Sequence, residues 1–352
     1  MDFKYSRTAT PHFIIQKLIE YEVNVSGADI FEFGSTDLAT VDNPSPEELD
    51  GFFDFYGIKN KSELADKFAR DGRLRMKHVW QSLGARTVDG ADGDGFECTA
   101  LDFNRSVKEH FDGQYDIVLN LGTTEHVFNI ARAFSDTHDL CKKNGVILYA
   151  LPTKGYLNHG YYTVSPKLLF DIAKFNCYEI LGSFKQLVVS EHRQEFIESE
   201  LPTEDFYYDN KVWDEENIAV FVFLKKLCER PFREPYECIS SNFASESVIG
   251  AYMHNDADCF LAKNKISKNT KVAIFGARRA AQIAYDFCLA HNVGVGVVID
   301  DFATGEFNGI KIISRNIFRD EYSKEIKHIL YGEGQSSVGE FEPDVKIVCI
   351  FP

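Results

Sequence analysis

The sequence predicts an α/β protein of two units, the first carrying a mostly parallel sheet whose last strands run antiparallel. Three observations lead there. Short runs rich in Val, Ile, Leu and Phe alternate with amphipathic stretches of helical period from one end of the chain to the other. Runs at 178–187 and 219–224 have no crossover helix between them, only the polar, acidic segment 190–216, so they read as an antiparallel finishing pair. A fresh strand–helix–strand rhythm starts at Lys271 after a weakly patterned, Pro- and Ser-containing stretch. At roughly 150 residues per domain, the 352 residues divide into a first domain at 1–228, a linker at 229–268 and a smaller α/β domain at 269–352.

The elements follow in order. An amphipathic helix at 11–21, with Phe13, Ile14, Leu18 and Ile19 on one face, leads into strand one at 28–34. Strand two is expected at 85–89, farther along than a single crossover helix requires, so about residues 38–75 are an insertion. Pro44-Ser45-Pro46 opens one short helix there, Ser62 another, and 76–83 returns to the sheet. Strands at 97–101, 115–120 and 146–151 alternate with helices at 127–141 and 166–175. A helix is expected around 248–262. In the last portion, strand 271–276, helix 278–291 and strand 293–300 form a βαβ unit, with short strands at 329–331 and 345–350.

Composition narrows the function. Fifty-four acidic against 38 basic side chains give a net charge of −16, which repels a nucleic-acid backbone. No apolar run approaches the roughly 18 residues of a membrane span, and the N-terminus lacks a secretory apolar segment, so the expected location is the cytoplasm. The eight cysteines are scattered without a CxxC pair and read as buried free thiols, with no metal site. The acidic run from Asp89 to Gly95 lacks a calcium loop's twelfth-position glutamate and reads as a solvated turn.

The chemistry-bearing residues gather at strand ends. Strand one ends in Glu32-Phe33-Gly34, a carboxylate beside a glycine that lets the backbone turn tightly against a ligand. Asp89 closes strand two, where an acid can accept from ribose hydroxyls, and strand three leads to Asp102-Phe103. Strand four ends in Asn120 and, five residues on, Glu125-His126. Ligands of open α/β sheets bind at that edge. After strand five, Asn158-His159-Gly160-Tyr161-Tyr162 offers a histidine that can take a proton near neutral pH beside tyrosines that can orient it or a substrate hydroxyl.

In this order the residues resemble the class I S-adenosylmethionine-dependent methyltransferases, over about residues 10–226. Glu32-Phe33-Gly34 is similar to that family's acidic-x-Gly core, Asp89 to its ribose-binding acid, Asp102 to its adenine-contacting acid, and the run Asp116 to Asn120 to its fourth strand. The resemblance implies S-adenosylmethionine as cofactor, held by Glu32, Gly34, Ser35, Asp89, Asp102, Phe103 and Asn120. The family's first loop usually holds two or three glycines; Ser35-Thr36-Asp37 stand here, and Ser35 or Thr36 would bond the methionine end instead. The segment around His159 resembles the His-x-x-Tyr-x-Ser stretch of methyltransferases acting on nucleotide sugars and surface polysaccharides. It implies a sugar or nucleotide-sugar acceptor in glycan biosynthesis, with His159 as base and Tyr162 beside it; Glu125-His126, at the mouth of strand four, is the second contender, and Asn158 and Tyr161 are expected at the acceptor.

Other readings stay open. His159 could instead cap the helix at Pro166, and His126 could pack under the cofactor with Glu125 fixing its tautomer. The second unit presents Gly276-Ala277-Arg278-Arg279 at a helix start, where Arg278 and Arg279 could hold an acceptor phosphate. It resembles, more loosely, the C-terminal Rossmann-like domain of sugar C-methyltransferases, whose paired-cysteine zinc module is absent here. An NAD(P)-dependent oxidoreductase using this unit, though it lacks GxGxxG, and a non-catalytic glycan-pathway scaffold with a decayed cofactor site are the alternatives. The sequence is compatible with an oligomer.

Overall fold

Pro11, Ile14, Ile15 and Leu18 form the buried stripe of the first helix, α1 (Ala9–Glu20). Ile15, not Ile19, turns to the core: Ile19 is exposed, because the 11-14-15-18 spacing already completes one helical face. The computed structural model describes residues 6–39, 43–190, 193–199, 217–235, 257–277, 279–332, 341 and 343–350. The chain divides into two compact units, Met1–Ile239 and Ser240–Pro352.

In the first unit an eight-stranded sheet runs in the order β3-β2-β1-β4-β5-β8-β6-β7. Its strands are β1 (Asp29–Phe33), β2 (Thr87–Asp92), β3 (Thr99–Ala100), β4 (Tyr115–Leu121), β5 (Cys141–Lys154), β6 (Tyr178–Ser190), β7 (Arg193–Glu198) and β8 (Ile218–Lys226). From β3 to β5 all pairings are parallel. β8 is antiparallel to both β5 and β6, so the expected finishing pair is present. This is the Rossmann-like sheet with antiparallel last strands that the sequence predicts. β7, which pairs antiparallel with the edge of β6, lies in the segment read as a polar connector. Charged Glu195 and Glu198 flank Phe196 and Ile197 there, a composition that suits an edge strand.

The insertion folds as expected into α2 (Pro46–Phe55) and α3 (Lys61–Asp71), returning through α4 (Met76–Ser82). Ser45 caps α2 with a reciprocal bond to Glu48, and Pro46 takes the first turn, where its missing N–H is no loss. These helices and α1 cover one face of the sheet, burying Phe52, Phe53 and Trp80 against Ile30, Ile117 and Leu148. On the other face α5 (Ile130–Leu140) and α6 (Pro166–Phe175) bury Phe134, Leu169 and Ile172 against Phe31, Phe33, Val118 and Ile147. Each such side chain contributes roughly 1.5–3 kcal/mol. Residues 229–235 lie against this layer: His138 bonds the Arg230 carbonyl at 2.7 Å, and Asn176 accepts from the Arg233 N–H at 2.7 Å.

The second unit holds a six-stranded sheet of order β11-β12-β10-β9-β13-β14, parallel except for the short β11. Its strands are β9 (Lys271–Phe275), β10 (Gly294–Ile299), β11 (Glu306–Phe307), β12 (Ile310–Ile313), β13 (His328–Gly332) and β14 (Lys346–Ile350). Counted in chain order, the parallel strands run 3-2-1-4-5, the order of doubly wound sheets. A helix at Arg279–Ala290 makes the crossover from β9 to β10. The β11–β12 hairpin was not visible in the sequence reading. The helix expected at 248–262 is described from Ala257 to Lys263; its earlier part lies outside the described residues.

Among the described residues, Cys141, Cys177, Cys228 and Cys288 are buried, as expected, and Cys98 is half-buried. No helix among them is long and apolar enough to cross a membrane.

Candidate functional site

The order of strands reverses between β1 and β4, and the crevice that this opens at their C-terminal ends is a cleft of about 870 Å³. Four strand ends line it, as the sequence suggested: Gly34 and Ser35 after β1, Asp92 and Gly93 at β2, Asp102 and Phe103 after β3, and Gly122, Thr123 and His126 after β4.

Gly34 has φ +81°, and a Cβ there would lie 1.7 Å from the Thr123 hydroxyl oxygen. Only glycine lets the β1 and β4 loops approach this closely. The rest of the first loop is held by a device the sequence reading missed. Arg75, 2% exposed, donates to the Ser35 carbonyl, to both Asp94 oxygens at 2.8 Å and to the Phe96 carbonyl at 3.2 Å. Arg73 pairs with Asp37 at 2.9 Å, and the Met76 N–H donates to the Thr36 carbonyl at 2.8 Å. The insertion thus fixes by hydrogen bonds a loop in which Ser35, Thr36 and Asp37 follow the single glycine Gly34. The available signal was Arg73-Leu74-Arg75 ahead of α4, facing an acidic run about twenty residues on.

Only the end of that acidic run is the solvated turn expected, with Gly93 and Asp94 exposed; its first part is strand. β2 continues three residues past Asp89, so Asp89 sits mid-strand opposite Phe31 and accepts the Tyr115 hydroxyl at 2.7 Å. Asp92 takes the strand-end position at the cleft, and Asp94 anchors Arg75. Asp89, expected as the ribose-binding acid, therefore does not line the cleft and Asp92 does, because the pairing register, not the apolar pattern, sets where the strand stops.

Two other expected cofactor ligands turn away from the cleft. Strand alternation puts Glu32 on the face of Ile30, where it is 1% exposed and accepts from Trp80 Nε1 at 3.0 Å; burial pushes its carboxyl up to about 8. Its other oxygen is 3.5 Å from the Ser35 hydroxyl, so Glu32 braces the loop from beneath. Asn120 is fully buried and donates to the Thr124 hydroxyl at 2.5 Å, holding the turn Thr124–His126 that carries the next functional residues.

Phe103 is 8% exposed and stacks on Phe33 at 4.3 Å between centroids, forming one wall of the cleft. Asp102 lines the cleft too; backbone and side-chain donors of Asn104 hold its carboxyl below the usual range, so it also caps its own turn.

At the mouth of β4, Glu125, His126 and His159 come together. Glu125 Oε1 lies 3.9 Å from His126 Nε2 and 3.7 Å from His159 Nε2, and the two imidazole centroids are 4.9 Å apart. Glu125 is 1% exposed, its Oε2 has no hydrogen-bond partner, and burial pushes its carboxyl up to about 7. Burial, then His159, lowers the His126 imidazole. The Glu125 carbonyl accepts from the Tyr161 and Tyr162 N–H groups at 2.9 and 3.1 Å, which brings the β5–α6 loop onto the β4 turn.

Tyr162 does not face a histidine: its hydroxyl donates to the Phe128 carbonyl at 2.8 Å and clips the loop to the turn before α5. Nor does His159 cap α6, since the N-cap there is Ser165. Asn158, at φ +67°, and Tyr161 are exposed, and Tyr161 meets the exposed Phe128 edge to face at 6.2 Å.

In the second unit Arg278 lies outside the described residues, as does the Arg279 side chain, so the expected phosphate site is not described. Asp300, where a dinucleotide fold places its ribose acid, is engaged internally: it accepts from the N–H groups of Ala277 at 2.9 Å, Phe302 at 2.8 Å and Ala303 at 3.0 Å.

No protein-family model matches the chain. No curated protein is significantly similar to it. Among solved structures, it is similar to a candidate hemolysin from Streptococcus thermophilus (11% identity, 60% of this chain and 64% of that one, TM-score 0.32). An S-adenosylmethionine-dependent methyltransferase from Thermotoga maritima matches at 12% identity over 62% of this chain and 94% of its own, with a TM-score of 0.29. One from Mesorhizobium loti matches at 10% over 57% and 92%, with a TM-score of 0.25. The chain thus spans less than two thirds of the first of these proteins. Similarity at this level assigns neither family nor activity.

Proposed function

We propose that the protein transfers a methyl group from S-adenosylmethionine to a hydroxyl of a small acceptor, a sugar or nucleotide sugar of glycan biosynthesis. The observation that carries this reading is the position of His126: it lines the cleft of the four strand ends and also belongs to the Glu125–His159 cluster beside it. A nucleoside in the cleft, with Asp92 and Asp102 at its hydroxyls and base and Phe103 along its ring, would extend its sulfonium toward those side chains.

The acceptor oxygen then attacks the methyl carbon in line with the carbon–sulfur bond. That bond breaks, its electron pair stays on sulfur, and S-adenosylhomocysteine leaves. The donor is already activated, so alignment supplies most of the acceleration. The hydroxyl proton passes to the cluster, where His159, half exposed, is the accessible base. The exposed rings of Tyr161 and Phe128 form an apolar patch beside it that suits the C–H face of a sugar.

Calorimetry with S-adenosylmethionine, S-adenosylhomocysteine and NAD tests the cofactor, and label transfer from a radiolabelled methyl donor to a panel of nucleotide sugars tests the acceptor. The first two should bind and NAD should not. His159→Ala should lower kcat by about 10² to 10⁴ and leave the S-adenosylhomocysteine Kd unchanged. NAD binding without binding of S-adenosylmethionine or S-adenosylhomocysteine would replace this reading with the oxidoreductase alternative. No binding of any of the three would favour the scaffold.

A further inference from the structure

The cluster at the mouth of β4 combines two imidazole nitrogens and one carboxylate oxygen, all within 4.8 Å of one another. Tetrahedral ligands bound at about 2.0–2.1 Å stand roughly 3.4 Å apart, so the Glu125 Oε1 contacts of 3.9 and 3.7 Å need close by only a few tenths of an ångström. Both Nε2 atoms face the same carboxylate oxygen. The loops that bring them there are tied together through the Glu125 carbonyl, and at Gly160 any Cβ would lie 2.9 Å from that carbonyl oxygen.

A second observation is independent of the spacing. Glu125 is 1% exposed, and its Oε2 is buried without a hydrogen-bond partner. Its only ion-pair partners among the described residues are these two histidines, which are charged only when protonated. A buried carboxylate oxygen left without a donor is costly unless a cation or proton compensates it. Both histidines are about half exposed, which leaves a cation's remaining positions open to a small molecule.

We propose that Glu125, His126 and His159 bind one divalent first-row transition-metal ion of the zinc class. Magnesium and calcium prefer all-oxygen sets, whereas two imidazoles and a carboxylate suit zinc and its neighbours. The binding claim stands alone. Its catalytic meaning rests on the methyl-transfer reading: the ion would take the acceptor hydroxyl as a further ligand and lower its pKa, so that its proton would leave to solvent water and the histidines would act as ligands in place of base.

The test uses the full chain, freed of metal and titrated with Co²⁺ while its visible absorption is followed. Wild type should take up one Co²⁺ with the ligand-field bands of nitrogen and oxygen donors, and Zn²⁺ should displace it. His126→Ala, His159→Ala and Glu125→Gln should each weaken that uptake by more than the 10- to 100-fold typical of an outer-shell change. The histidine variants alter half-exposed side chains, and their melting temperatures should match that of metal-free wild type. Uptake unchanged in both histidine variants, or no saturable uptake by wild type, overturns the site. Calorimetry with S-adenosylhomocysteine on the same metal-free proteins separates the two claims. Cofactor binding without Co²⁺ uptake removes only the metal, and Co²⁺ uptake without cofactor binding removes only the methyltransferase reading.

Discussion

Arg75 reaches across forty positions of sequence to donate to the backbone carbonyl of Ser35 while its other amino group forks onto Asp94. One buried guanidinium therefore joins the loop after β1, the segment after β2 and the end of the insertion. Arg75→Met should loosen all three. Breaking a fully buried ion pair costs about 3–5 kcal/mol; Asp94 and Asp37 keep contact with water, so a loss of about 2 kcal/mol is expected. Urea unfolding reads the stability loss. Calorimetry should show S-adenosylhomocysteine affinity falling at least about tenfold, and unchanged affinity would mean that the first loop orders itself without Arg75.

The pairing of Gly34 with Thr123 predicts a strong, partly reversible defect. Gly34→Ala forces an L side chain into the left-handed region and its Cβ into the Thr123 side chain. Strain and overpacking together should cost roughly 2–5 kcal/mol. Adding Thr123→Gly removes the clash but not the backbone strain, so a double-mutant cycle should return a coupling above about 1 kcal/mol. Strict additivity would show that the two loops do not press on each other in solution.

Asp92 and Asp89 separate the strand-end acid from its neighbour. Asp92→Asn should weaken S-adenosylhomocysteine binding by about 1.5–3 kcal/mol, the range for a hydrogen bond to a charged group. Asp89→Asn should leave that affinity near wild type and instead lower the Tyr115 phenol, now held above its ordinary value by burial and by Asp89. Ultraviolet titration of the phenolate reads the second effect.

Glu32 predicts a pH dependence of stability. Its folded carboxyl keeps its proton up to about 8, against an ordinary value of 4.5. Between those values the unfolded chain releases the proton and the folded chain holds it, so the stability contributed by this group falls as pH rises through the window. Below about 4.5 both states are protonated and there is no effect. Glu32→Gln keeps an acceptor for Trp80 and removes the titration. Its stability relative to wild type should rise from pH 5 to pH 8 by an amount on the order of 4 kcal/mol. Parallel denaturation curves for the two proteins across that range would refute the buried, protonated carboxyl.

The sequence by itself determined the elements and their order. The apolar period of 115–121, the capping signals at Ser45-Pro46 and the missing crossover between 178–187 and 219–224 each state a local preference that packing did not overturn. It also placed the site at the ends of strands one to four and named Gly34, Ser35, Asp102, Phe103 and His126 among the residues of the cleft. Tertiary structure decided which acids face that cleft. Side chains alternate across a strand, so the face taken by Glu32 depends on which helix layer claims Ile30, and the end of β2 depends on its register with β1. The Arg75–Ser35 latch, the Gly34–Thr123 approach and the meeting of Glu125 with His159 join residues more than thirty positions apart, where no local period carries a signal. Such contacts exist only once the sheet has fixed the distance between the loops that make them.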